Sequence, residues 1–325
     1  MSPRTRIVAI VAAGGAVVIA AVIGLTLWQT RGESSAAAAA GATAKPRPGI
    51  PPLLFDFGLR DDAEARDLAR GALLLKHGKR AQAEALFDRY HDVQARLGSA
   101  FAVWPKGSLD AVKSIVAAHP ANAVVQLHYA LALYWSGRNA DAVKQFQLVD
   151  RRFPDTQSAV DAEDILYGSK TIPGLPYIIV PVAVPDAKTL AQQVAAARRA
   201  AAKPDAQAKL AYGVMLWRLD RRVSARRELE AAARLAPGPV TLTAAAVSRF
   251  SKKQPAAAFA RLGPLSGRFP RASVVRLHLG LLLLWTKQVG KAEKQLKLAV
   301  SDAPGSPYAT EAKKLLSALV PNGTK

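Results

Sequence analysis

Five histidines, at positions 77, 91, 119, 128 and 278, are the residues of this chain best suited to acid–base or metal chemistry near neutral pH. A helical metal pair needs a second His, Asp or Glu three or four residues away, and neither His128 nor His278 has one. The two are therefore read as one core histidine copied with its surroundings. The acid pairs Asp61-Asp62 and Glu163-Asp164 fall at a helix beginning and on a closing helix expected to be exposed, where the helix dipole and solubility account for them. With no cysteine among 325 residues, disulfides, Cys-based zinc sites, iron–sulfur clusters and thiol nucleophiles are excluded. No nucleophile elbow, phosphate loop, H-E-x-x-H or dinucleotide fingerprint is present. The expectation is a protein that is not an enzyme and that needs no cofactor or metal.

The charge is +21, from 45 Lys and Arg against 24 Asp and Glu, so its location matters. Ile7 to Trp28 is an uninterrupted apolar run, long enough to cross a bilayer as a helix. Arg4 and Arg6 precede it without an acid, which places residues 1–6 in the cytoplasm of a bacterium and the remainder outside its inner membrane. The alternative is a cleaved signal and a secreted product, with Ala42-Thr43-Ala44 as the cleavage site. A stripe of Ala12, Ala16, Ala20 and Gly24 offers two such spans a close approach and hence a homodimer. Residues 29–49, rich in Ala, Gly, Ser and Pro, have the composition of a flexible linker. Without the first 32 residues the charge is still +18, so the basicity belongs to the folded part.

From residue 61 the pattern is helical and periodic. Prolines 120 and 154 are 34 apart, and prolines 237, 270 and 304 are 33 and 34 apart. Before Pro154, Ala130, Leu133, Gly137, Ala142, Phe146 and Val149 stand at offsets 0, 3, 7, 12, 16 and 19. The frame recurs through Gly213, Leu216, Ala225, Leu229 and Ala232, and again through Gly280, Leu283, Ala292, Leu296 and Ala299. A weaker copy runs through Gly71, Leu74, Gly78, Ala83 and Phe87, while the units ending at Pro120 and Pro270 keep only the period. These positions resemble the tetratricopeptide (TPR) repeat, which implies an all-α solenoid of about six helix pairs and, as a function, protein–protein interaction. A second symmetry is superposed: the 26 residues from Val124 align without gaps with those from Val274, eleven being identical. The chain thus divides into an N-terminal segment 1–6, a span 7–28, a linker 29–49, blocks 50–168 and 205–319 separated by a proline-rich stretch and helix 169–204, and a tail 320–325.

By the resemblance, the concave surface is lined by the first helix of each pair. The positions concerned are Leu127, Leu131, Tyr134 and Trp135; Leu210, Val214, Trp217 and Arg218; and Leu277, Leu281, Leu284 and Trp285. A surface this apolar has to be covered. Either the extended segments 50–57 and 172–184 fill the two troughs, or the troughs are open to an apolar peptide or a second copy; the open version makes the protein a chaperone or assembly factor for exported or membrane proteins. Arg221, Arg222, Arg226, Arg227, Lys287, Lys291, Lys294 and Lys297 are expected on outer helices and turns, facing anionic lipid or wall polymer. No nucleic-acid motif accompanies them, which sets nucleic acid aside. The protein partner is not named by the sequence.

Overall fold

The computed structural model describes residues 45–319; the expected membrane span at 7–28 and the tail lie outside them. Among the described residues there are helices and no strands, and none of those helices is long and apolar enough to cross a membrane. The chain forms two compact units, one within Ser34–Tyr167 and one containing Gly168–Lys325.

In the first unit, α1 (Ala63–Lys76) pairs with α2 (Arg80–Phe87), α3 (Val93–Ala102) with α4 (Ser108–Ala118), and α5 (Ala123–Trp135) with α6 (Asn139–Arg152); α7 (Gln157–Tyr167) closes the stack. The starts are chemically marked. Asp62, Asp92 and Asn122 each accept a hydrogen bond from the backbone N–H three residues on, at 2.9, 2.7 and 3.2 Å, satisfying donors that a helix leaves open. Glu163 on α7 departs from expectation: it is buried, because α7 packs its inner side against α6 and α5.

The second unit repeats the plan with one addition. Helix α8 (Leu190–Ala201), capped by Thr189, lies against α9 (Ala206–Arg218) before the pairs begin, burying Val194 and Ala197 against Met215. Helix α9 pairs with α10 (Arg222–Leu235), α11 (Pro239–Val247) with the short α12 (Ala256–Leu262) and α13 (Leu265–Arg268), and α14 (Ser273–Trp285) with α15 (Val289–Asp302); α16 (Pro307–Leu319) ends the stack.

Helices within a pair approach closely because the small residue at offset 0 receives the large one at offset 16. A Cβ placed on Gly213 would lie 2.7 Å from Leu229 Cγ, and one on Gly280 2.7 Å from Leu296 Cδ2. In the first unit the Phe87 ring is wedged between Gly71 of α1 and Gly98 of α3. Offset 7 is a left-handed turn in the three clear repeats and in the weaker copy. Gly78 and Gly137 adopt it at φ 75° and 79°, and Asp220 and Lys287 adopt it at 58° although side chains disfavour it.

In Gly98→Ala the new methyl would sit 2.6 Å from Phe87 Cγ, the root of the ring, which cannot rotate away. Overpacking costs about 1–3 kcal/mol, more than the roughly 1 kcal/mol by which Ala outranks Gly in a helix. The net loss is expected to be up to about 2 kcal/mol, read from the shift of the urea midpoint.

Candidate functional site

Each unit carries an extended strap in its trough, and the two straps are copies. Arg47-Pro-Gly-Ile-Pro-Pro-Leu-Leu-Phe-Asp-Phe57 aligns without gaps with Ile172-Pro-Gly-Leu-Pro-Tyr-Ile-Ile-Val-Pro-Val182, an offset of 125. Their glycines, Gly49 and Gly174, both take the left-handed conformation, at φ 83° and 74°. Proline limits the backbone on either side to extended conformations, so each strap is a stiff segment that loses little entropy on seating.

The same two backbone amides anchor each strap. The Arg47 N–H donates to the Trp135 carbonyl at 2.8 Å, and the Ile172 N–H to the Trp285 carbonyl at 2.9 Å; both carbonyls lie at a helix C-terminus, where they lack a partner within the helix. Seven residues on, the Leu54 N–H donates to His128 Nε2 at 3.1 Å and the Ile179 N–H to His278 Nε2 at 2.9 Å. In both imidazoles Nδ1 is 2.7 Å from a carbonyl one helical turn earlier, Val124 or Val274. A carbonyl can only accept, so Nδ1 carries the proton and Nε2 offers its lone pair to the strap. Burial pushes both imidazoles down to about 4 and keeps them neutral. These histidines are strap receptors with both ring nitrogens committed.

Side chains complete the seating differently in the two units. In the first, Phe55 packs against Phe87 and His128, with ring centroids 6.3 and 5.5 Å apart, and Gln94 donates to the Asp56 carbonyl at 2.8 Å. The Arg47 guanidinium lies 3.6 Å from the Tyr134 ring centroid and donates to the Tyr134 carbonyl. In the second, two indoles hold the strap: Trp217 donates to the Pro176 carbonyl at 2.7 Å and Trp285 to that of Gly174 at 3.1 Å, while Tyr177 meets Trp285 edge-on.

The residues read as trough-lining are placed as follows. Leu127, Leu131, Leu210, Val214, Trp217, Leu277, Leu281, Leu284 and Trp285 are buried, and Tyr134 and Trp135 are half-buried beside the first strap. Arg218 departs from the set: at the end of α9 it is exposed. Among the described residues the straps occupy both troughs.

The basic residues also part company. Arg222 is buried at the start of α10, and Arg226 is half-buried with its Nε donating to the Ser248 carbonyl at 3.3 Å. Arg221 is half-buried, and Arg227 is exposed and pairs with Glu228 at 3.1 Å. Lys287 stands apart from the lysines of α15, because the left-handed turn puts it ahead of that helix, where its Nζ donates to the carbonyls of Gly168 and Ser169 at 3.0 and 3.2 Å. The exposed stripe is Lys291, Lys294 and Lys297, the last paired with Glu293 at 2.7 Å.

Helix pairs at a 33–34-residue period, a small residue receiving a large one sixteen positions on, and a left-handed turn at offset 7 decide the architecture. Each unit is a TPR-like helical solenoid. No protein-family model and no curated protein matches the chain. Among solved structures, it is similar to a thermophilic TPR protein from Thermus thermophilus, with 16% identity over 78% of this chain and 100% of that one, at a TM-score of 0.25. It is similar also to yeast Tom70, with 13% identity over 91% and 71% of the two chains and a TM-score of 0.30. The C-terminal part of a TPR repeat-containing protein from Cytophaga hutchinsonii matches at 13% identity over 75% and 98%, with a TM-score of 0.28. At such scores the assignment rests on the chain's own repeat packing.

Proposed function

We propose that this TPR-like protein is a non-enzymatic interaction scaffold, anchored by residues 7–28 in a bacterial inner membrane, with its solenoid units outside and their basic outer helices turned to anionic partners. The observation that supports it most is the occupation of both apolar troughs by the chain's own straps. With the troughs filled, the surface left to a partner is the outer one, which carries the exposed lysines of α15. Lys291 and Lys294 on α15 are its clearest exposed pair.

Cations near an anionic surface contribute about 1 kcal/mol each, and the contribution is screened by salt. Reversing two of them in Lys291→Glu/Lys294→Glu is therefore expected to weaken binding of fluorescent polyphosphate, a stand-in for an anionic wall polymer, by about tenfold or more. The full chain in neutral detergent, followed by anisotropy, provides the measurement. An affinity that ignores both salt and the charge reversal would sink this reading.

A further inference from the structure

The two strap–trough pairs amount to one recognition event tested twice on different tethers. From Leu54 to His128 the chain runs 74 residues; from Ile179 to His278 it runs 99, the difference being helix α8 and its flanks. Yet the strap frame, the two anchoring amides, the left-handed glycine and the histidine tautomer are the same in both. A pairing that tolerates such a change in its covalent path is specified by the strap and trough, not by the connection.

The straps differ in how firmly they are seated. In the second, Leu175, Ile178, Val180 and Val182 are all buried, and two indole N–H groups grip its carbonyls. The equivalents in the first, Ile50, Leu53, Phe55 and Phe57, are only half-buried. The second strap runs between two helices, α7 and α8, whereas among the described residues the first is followed by α1 through residues 58–62 and no described helix precedes it.

We propose that the first strap, residues 47–57, exchanges between two copies of the chain, so that the trough of the Ser34–Tyr167 unit is a docking site for the same segment of a second copy. Segment 58–62, whose Gly58 already takes a left-handed turn, is the hinge. Reciprocal exchange preserves both amide anchors and the Phe55 contacts, and its remaining cost is association itself, which is what makes exchange of identical elements an inexpensive route to a dimer. The ligand chemistry is an extended Pro-Gly-aliphatic-Pro segment with two aliphatic residues four and five positions after the glycine. This inference goes beyond the proposed scaffold role and does not depend on the outer cations.

The absence of native cysteine makes the test direct. Pro52, exposed on the strap, is changed to cysteine (P52C) in the full chain, and separate preparations in neutral detergent carry a donor or an acceptor dye. On mixing, energy transfer is expected to build up and to increase with protein concentration. Excess synthetic peptide of residues 47–57 is expected to remove most of it, and the same peptide with both leucines replaced by aspartate to leave it unchanged. Absence of transfer across the concentration range would overturn the proposal. So would transfer that the native peptide does not reduce, because that dimer would be held elsewhere.

Discussion

Acidification from pH 7 to pH 4 is expected to loosen both straps and to cost on the order of 3 kcal/mol for each histidine, the linkage value for a side chain moved from an ordinary 6.5 to about 4. The folded imidazoles bind protons less readily than the unfolded ones. Stability is therefore fully present above the ordinary value, falls as pH drops through the interval, and levels off below about 4. The mechanism is local: the new proton arrives on Nε2, which then points a donor at the strap's own N–H donor while Nδ1 stays committed to Val124 or Val274. Phe55 and Phe101 flank His128 with centroids 5.5 and 5.4 Å away and offer the cation little solvation. The check is the unfolding free energy measured against pH. His278→Gln is expected to lower the slope between pH 6.5 and 4 by about one proton, roughly 1.4 kcal/mol per pH unit, and the double variant with His128→Gln by about two. An unchanged slope would show that the histidines are not the cause. Asp62, held down to about 2 by its hydrogen bond from Arg60, contributes stability that is lost mainly below this window, as pH falls from its ordinary 3.8 toward 2.

The repeat frame was legible because a solenoid states its packing rule several times: Gly213 with Leu229 and Gly280 with Leu296 repeat one contact at one spacing. The helix-pair breaks were equally accessible, and so was the need to cover the apolar first helices, but the sequence left the chain's own segments and an outside partner as alternative covers. What stayed hidden was the register of the straps, whose likeness shows in the sequence only as an Ile-Pro followed by apolar and aromatic residues in each. They are copies at an offset of 125, while the helical blocks repeat at 150, and the insertion of α8 between strap and block breaks the common frame. The signal that would have found them is Pro-Gly-[Ile/Leu]-Pro followed by a pair of aliphatic residues. The anchoring carbonyls of Trp135 and Trp285 were beyond reach for a different reason: a backbone acceptor at a helix end carries no mark in residue type. For the cations, composition showed their number and not their fate. Arg222 is buried, and Lys287 turns into a left-handed bend because offset 7 requires that conformation even where glycine is missing.

Phe87→Ala is expected to destabilise the Ser34–Tyr167 unit by about 3–5 kcal/mol, the usual range for deleting a buried aromatic ring. Phe87 is fully buried, and its ring occupies the space left by two glycines, Gly71 on α1 and Gly98 on α3, so the deletion empties a site to which neither helix contributes a side chain of its own. The ring also supports the strap, standing nearly perpendicular to Phe55 at 6.3 Å. Its removal should therefore act on two levels, lowering the unfolding free energy of the unit and releasing residues 47–57 before the helices separate. Hydrogen exchange distinguishes these levels. The Leu54 amide, which depends on His128, is expected to lose protection by more than the α5 amides do. Leu296→Ala in the second unit, where the second strap is gripped by Trp217 and Trp285, is expected to weaken α14 and α15 while leaving the Ile179 amide comparatively protected. Equal losses at Leu54 and across α5 would mean that strap and helices open together, and that the first strap is as firmly seated as the second.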